Sequence, residues 1–163
     1  TGEVMGVGES FGEACARAMQ GANYGIPRPG QAFLSVRDAD KETLLPIAED
    51  LVNRGYSLIA TGGTCQYLRE QGYICERINK VDEGRPHIVD AIKNGEIEFI
   101  VNTTEGSQAI ADSFSIRREA LQYKVSYTTT IARGWATLQA IDHEFDRKVH
   151  SLQELHNAAA REA

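Results

Sequence analysis

The chain has 163 residues, a formal net charge of −6, 42% apolar residues and 25% charged residues, which fits one compact globular α/β domain with a sizeable core. The acidic excess argues against a nucleic-acid surface, which needs clustered basic charge. No apolar run approaches the about 18 residues that span a membrane and there is no signal peptide, so a cytoplasmic protein with no membrane partner is expected.

The chain opens with Thr1 rather than Met, and reads as an internal piece of something longer. Residues 1–8 are glycine-rich. Ser10 reads as the N-cap of a helix over Phe11 to Gln20, with Glu13 placed to complete a capping box. Gly21, Gly25, Pro27, Pro29 and Gly30 form a cluster of breakers that reads as a linker, so a boundary is placed between 1–30 and 31–163.

From Gln31 onward, short apolar runs alternate with amphipathic stretches. Residues 32–36 read as a buried strand. Asp38 or Asp40 caps a helix to about Arg54, whose apolar face is Leu44, Leu45, Ile47, Ala48, Leu51 and Val52, and Gly55 ends it. A strand at 56–60 leads through Thr61-Gly62-Gly63-Thr64 into a helix that starts near Cys65 and runs to about Glu70. A third strand lies near 74–78. Pro86 reads as the first residue of a helix to Lys93. Residues 96–101 form a fourth strand, 109–121 a helix, 124–127 a fifth strand, and 130–141 and 152–160 the closing helices. Five strands alternating with helices imply a mostly parallel sheet covered on both faces, a Rossmann-like three-layer α/β sandwich.

In such a sheet, ligands sit beyond the carboxyl ends of the strands, near a topological switch point. The residues placed there are Ser35, Arg37 and Lys41; Thr61, Gly62, Gly63 and Thr64; Asn79 and Lys80; and Asn102, Thr103 and Thr104. Two glycines between threonines, followed by a helix, make a phosphate cradle, because backbone N–H groups can approach an anion and the helix N-terminus adds partial positive charge. An ordinary tight turn with a threonine cap is the alternative reading. Lys41 and Lys80 would neutralise a phosphate, and the hydroxyls and amides would bind its oxygens, a ribose or a base. There is no GxxxxGK[ST] motif, and no carboxylate directly follows the second or fourth strand, so the site reads as holding an anion without transforming it. Asp82 and Glu83 are either acid/base groups or a solvated loop. Cys15, Cys65 and Cys75 have no CxxC spacing, and His87, His143, His150 and His156 no metal spacing, so reduced thiols and no metal are expected.

Several segments resemble the large chain of the carbamoyl phosphate synthase family. Residues 1–6 (Thr-Gly-Glu-Val-Met-Gly) are similar to the end of its second ATP-grasp unit. Residues 34–37, 60–64, 79–88, 92–95, 102–104 and 117–125 look like its C-terminal allosteric, methylglyoxal-synthase-like domain. The resemblance implies a domain that binds regulatory nucleotides, typically UMP as inhibitor and IMP as activator. It carries phosphate contacts onto Lys41, Thr61, Thr64, Lys80, Asn102 and Thr104, with Ser35, Thr103 and Asp112 as further contacts, and an ornithine-type effector site onto Tyr127 and Thr129. No catalytic residue and no cofactor are implied for this chain. The intact large chain is implied to make carbamoyl phosphate from bicarbonate, ATP (with Mg or Mn) and ammonia from a small glutaminase subunit, as a homo-oligomer serving arginine and pyrimidine synthesis. Three departures from the family pattern stand out. Arg85 stands where methylglyoxal synthase has a catalytic aspartate, so methylglyoxal formation is not expected. Thr128 replaces the aspartate of a Tyr-Asp-Thr segment, removing the carboxylate that would pair with an ornithine ammonium. Ser107 and Gln108 stand where some relatives have basic residues, which would weaken nucleotide binding. The other readings are a mainly structural or oligomerisation domain with a vestigial cradle, and an enzyme acting on a small phosphorylated metabolite.

Overall fold

The computed structural model describes residues 3–105, 107–146, 149 and 151–161, of which 107–112, 155 and 158–161 are described by backbone alone. The order of elements is α1 (Phe11–Gly21), β1 (Gln31–Ser35), α2 (Lys41–Asn53), β2 (Ser57–Ala60), α3 (Gly62–Glu70), β3 (Cys75–Arg77), α4 (Ile88–Lys93), β4 (Ile97–Asn102), α5 (Ser107–Gln122), β5 (Ser126–Thr128), α6 (Ile131–Ile141) and α7 (Leu152–Arg161). Single 3-10 turns occupy Asp38–Asp40 and Val81–Glu83.

The five strands form one parallel sheet in the order β3-β2-β1-β4-β5. Its central strands are apolar on both faces because helices cover both. Ala32, Leu34, Leu58, Ala60, Phe99 and Val101 pack with α2, α3 and α6 through Leu44, Ile47, Leu51, Leu68 and Leu138. Phe33, Ile59 and Ile100 point the other way, against Ile88, Ile92, Ile116 and Ala120 of α4 and α5. The alternation along each strand thus sorts the side chains into two cores, and the expected three-layer α/β sandwich is the fold.

Local chemistry sets the element ends. Gly55 has φ +86, a left-handed conformation that favours glycine, and its N–H bonds the Val52 carbonyl at 2.9 Å to close α2. Gly134 lets α6 settle on the sheet. A Cβ there would stand 3.0 Å from Ile47 Cδ1 and 3.7 Å from Val101 Cγ2.

Four local expectations are corrected. Helix α3 starts at Gly62, not near Cys65, with Thr61 as the extended cap residue, so both glycines belong to its first turn. Helix α4 starts at Ile88. Pro86 follows a cis peptide bond and stands outside the helix, while the Asp90 carboxylate accepts from His87 N–H at 3.1 Å and makes His87 the cap. Strand β5 starts at Ser126, two residues late, because Lys124 (φ +57) closes α5 in the left-handed region and Val125 N–H still bonds the Ala120 carbonyl at 2.9 Å. At α1, Ser10 Oγ accepts from Glu13 N–H at 3.2 Å as expected, but the Glu13 carboxylate reaches Glu9 N–H at 2.7 Å rather than that of Ser10.

Residues 3–30 lie against the sandwich. Helix α1 packs on α6 so closely that a Cβ at Gly12 would be 2.7 Å from the Gln139 carbonyl oxygen. Two tyrosine hydroxyls pin the following segment: Tyr24 donates to the Tyr127 carbonyl at 3.0 Å and Tyr56 to the Pro27 carbonyl at 2.8 Å.

Candidate anion-binding site

Strand β1 lies between β2 and β4, so the chain order reverses there and a crevice opens beyond the carboxyl ends of these strands. A cavity of about 410 Å³ occupies it. Ser35, Lys41, Thr61, Thr64, Lys80, Asn102, Thr103 and Thr104 all line this cavity, together with Gly63. Residues predicted from four separate strand ends therefore meet in one place. The side chains of Asp112, Ser107 and Gln108, and residues Thr1, Gly2, Gly106 and His150, lie outside what the structure describes.

The sheet register sets the geometry. Ser35 pairs with Asn102 across β1 and β4, and Thr103 N–H bonds the Ser35 carbonyl at 3.0 Å. Ser35 Oγ and Thr61 Oγ1 are 3.0 Å apart. Thr61 gives α3 no side-chain cap, so the first-turn amides receive no hydroxyl from it, and Gly63 and Thr64 of that turn line the cavity. Thr64 is buried, and its hydroxyl accepts from Val36 N–H at 3.1 Å. Thr103 Oγ1 accepts from Arg37 N–H at 3.1 Å. Each of these hydroxyls has one proton and two lone pairs; that of Thr64 also donates to the Val36 carbonyl at 3.4 Å, and that of Thr103 also bonds the Asp40 carboxylate. Asn102 is 4% exposed, and its Nδ2 has no hydrogen-bond partner. A buried amide donor without an acceptor is costly.

Charge in the cavity comes from Arg37, Lys41 and Lys80, opposed by Asp38 and Glu105. Lys41 starts α2. Its Nζ lies 2.8 Å from Asp38 Oδ1 and 5.8 Å from the Tyr67 ring centroid. The hydrogen bond from Lys41 holds the Asp38 carboxyl below its ordinary pKa. Arg37 forks onto Asp40 at 2.8 and 3.2 Å, and lowers the pKa of that carboxyl in the same way. Lys80 is exposed at the mouth, where the Glu83 carboxylate accepts from its backbone N–H at 3.1 Å. That bond accounts for Glu83 as a cap, and Asp82 sits beside it on an exposed turn.

Tyr127 and Thr129 are not part of this cavity. Tyr127 faces the N-terminal segment, with its ring 6.2 Å from that of Tyr24. Sequence reasoning passed over the apolar wall made by Val81, Ile88 and Ile116, and also Asp38, Glu105 and Ser113. Two signals were available: Asp38 and Lys41 are three residues apart, a charge-pair spacing, and Ser113 and Ile116 have the same spacing on α5. Among the described residues, no group of three or more His, Cys, Asp or Glu could hold a metal ion. No described helix is long and apolar enough to cross a membrane.

Comparison with known proteins agrees with this architecture. The family model described as "MGS-like domain" matches residues 43–129. The carbamoyl phosphate synthase large chain of Xanthomonas campestris is 58% identical over 156 residues, covering 96% of this chain and 14% of that protein. That of Pseudomonas syringae is 53% identical over the same shares. The chain thus spans about one seventh of the length of the curated relatives it matches. A methylglyoxal synthase from Elizabethkingia anophelis superposes with a TM-score of 0.56 at 16% identity, over 76% of this chain and 94% of that one. That likeness concerns the fold. With its family's model matching residues 43–129, more than half of the chain and four of the five strands (β2 to β5), the chain belongs to the MGS-like domain family, in a sequence similar almost throughout to carbamoyl phosphate synthase large chains.

Proposed function

We propose that the chain is a regulatory module that binds a nucleoside monophosphate of the UMP or IMP type within a carbamoyl phosphate synthase large chain. The observation that carries this reading is the buried, unpartnered Asn102 Nδ2 in a cavity that also holds Lys41, Lys80 and the uncapped start of α3. The phosphate sits over Gly63 and Thr64, its charge met by the two lysines and the helix N-terminus. The ribose reaches Asn102 and Thr104, and the base lies along Val81 and Ile116. The chain carries no reaction of its own. The intact enzyme, cytoplasmic and homo-oligomeric, uses ATP with Mg or Mn, bicarbonate and ammonia from a small glutaminase subunit to make carbamoyl phosphate for arginine and pyrimidine synthesis. Ornithine acts near Tyr127 and Thr129, weakened by Thr128, and methylglyoxal is not formed because Arg85 replaces the required carboxylate.

Titration calorimetry of the chain with UMP, IMP and inorganic phosphate tests this. The expected result is binding of one nucleotide more tightly than phosphate. No heat from any of them at millimolar concentration refutes the reading.

One observation favours a mainly structural role instead. The hydroxyls of Thr64 and Thr103 already serve Val36 and Arg37, so the cradle also fixes the chain leaving the central strand β1. Deleting residues 31–163 from the full enzyme separates the two readings. Loss of assembly with the nucleotide response retained supports the structural role, and loss of the response supports the regulatory one.

A further inference from the structure

We infer that Asp38 is a built-in competitor for the ligand phosphate, occupying the Lys41 ammonium in the empty site and setting the threshold at which a phosphorylated ligand binds. The inference rests on the reading of the cavity as a phosphate site. Three observations carry it. Lys41 Nζ lies 3.8 Å from where a Cβ on Gly63 would be, so its ammonium already stands over the glycine turn that would cradle an anion. That ammonium is held 2.8 Å from a carboxylate oxygen of Asp38, and both side chains line the cavity. The two partners differ in exposure: the Asp38 side chain is 94% exposed and that of Lys41 only 22%.

The asymmetry decides which partner gives way. Lys41 is held by its place at the start of α2 and by the Tyr67 ring below it. Asp38 sits on a one-turn 3-10 segment with almost its whole carboxylate in water, so releasing it requires no new desolvation. An arriving phosphate therefore displaces Asp38, not Lys41. A phosphate offers three oxygens to the same ammonium and also reaches the α3 amides, which a carboxylate fixed at Asp38 does not. Arg37 is engaged in the same way by Asp40. Of the three cations lining the cavity, Lys80 alone has no carboxylate ion pair among the described residues. An acidic rim thus keeps a basic cradle occupied until a stronger anion arrives.

The test is a calorimetric cycle on the 163-residue chain, with inorganic phosphate and UMP as probes, using wild type, Asp38→Asn, Lys41→Ala and the double variant. Asp38→Asn keeps the shape and removes the charge, and Asp82→Asn is a control for the same charge change on an exposed turn outside the cavity. Asp38→Asn is expected to tighten both ligands by the same factor, about three- to fivefold, because the phosphate is what they share. In the Lys41→Ala background the same change is expected to shift affinity by less than about twofold, and Asp82→Asn to leave it unchanged. Unchanged or weaker binding by Asp38→Asn, with wild type still binding, overturns the competitor role alone and leaves an ordinary surface ion pair. An equal gain in the Asp82→Asn control also overturns it, since net charge would then be the cause. No binding by wild type or Asp38→Asn overturns the phosphate site itself.

Discussion

Replacing Thr64 by valine separates the structural role of the cradle from its binding role. Thr64 is 2% exposed, and valine has nearly its shape, so the change removes a hydroxyl and leaves no cavity. That hydroxyl accepts from Val36 N–H at 3.1 Å and donates to the Val36 carbonyl at 3.4 Å. The second contact is long and contributes little. The first is the partner of a backbone N–H at the buried end of β1, and losing it leaves that donor unsatisfied. The cost of such an orphan is about 1–3 kcal/mol. For a domain of this size, each kcal/mol shifts Tm by about 2–4 °C, so a central value of about 2 kcal/mol lowers Tm by about 4–8 °C. Differential scanning calorimetry without ligand measures this directly. Thr64→Ser, which keeps the hydroxyl, is the comparison: it loses only a methyl group, about 1 kcal/mol. A Thr64→Val protein as stable as wild type, or more stable than Thr64→Ser, refutes the argument that this hydroxyl ties α3 to β1.

Three further outcomes are expected. Lys80→Ala weakens UMP or IMP binding by about 1.5 kcal/mol, roughly tenfold, the lower end for a charge-assisted bond because the side chain is exposed; unchanged affinity in calorimetry removes Lys80 from the site. The Arg54 guanidinium, hydrogen-bonded to Asp142, holds that carboxyl below its ordinary pKa, so its contribution is present above about pH 3.9 and is lost as pH falls through the lowered value in the folded state. Asp142→Asn therefore lowers Tm slightly at pH 7, and the two Tm curves converge toward pH 2.5; a gap that widens on acidification contradicts this sign. Burial, followed by the neighbouring Cys65 thiol, pushes the Cys75 thiol up to about 12, and Cys65 is itself buried. With Ellman's reagent at pH 8, half-buried Cys15 reacts first and the other two only as the chain unfolds; three fast thiols would place those residues wrongly.

Much of this architecture was legible because its signals are periodic or steric. The apolar residues in the runs at 32–36, 56–60 and 96–101 are buried in strands, with Ser57, Glu96 and Glu98 left exposed toward the strand starts, and Gly55 marks a left-handed helix end that only the backbone could require. The rule that ligands gather at strand carboxyl ends then placed Ser35, Thr61, Asn102 and Thr104 together without knowledge of strand order. What escaped was set by tertiary contacts. Pro86 fits a first helical turn by propensity, yet Asp90 captures His87 N–H and moves the start of α4 two residues on. Lys124 carries no sign that it closes α5 in a left-handed conformation. The helix at 11–21 was read correctly in isolation, but its seat on α6 depends on Gly12 meeting the Gln139 carbonyl, a contact across more than a hundred residues.

The site also shows why net charge is a poor guide to a small anion ligand. The chain carries −6 overall, yet a phosphate would meet two lysines and the start of α3 at distances where local groups dominate over screened charge farther away. The acidic residues at the rim do not oppose this. Asp38 and Asp40 occupy Lys41 and Arg37 while the cavity is empty, and the same carboxylates precede α2, where a helix N-terminus stabilises negative charge. Their positions satisfy the fold first. An anion that displaces Asp38 leaves it beside that N-terminus in water, with part of its stabilisation intact. Ligand exchange at Lys41 therefore costs the fold little, which a cradle that also braces the end of the central strand β1 requires.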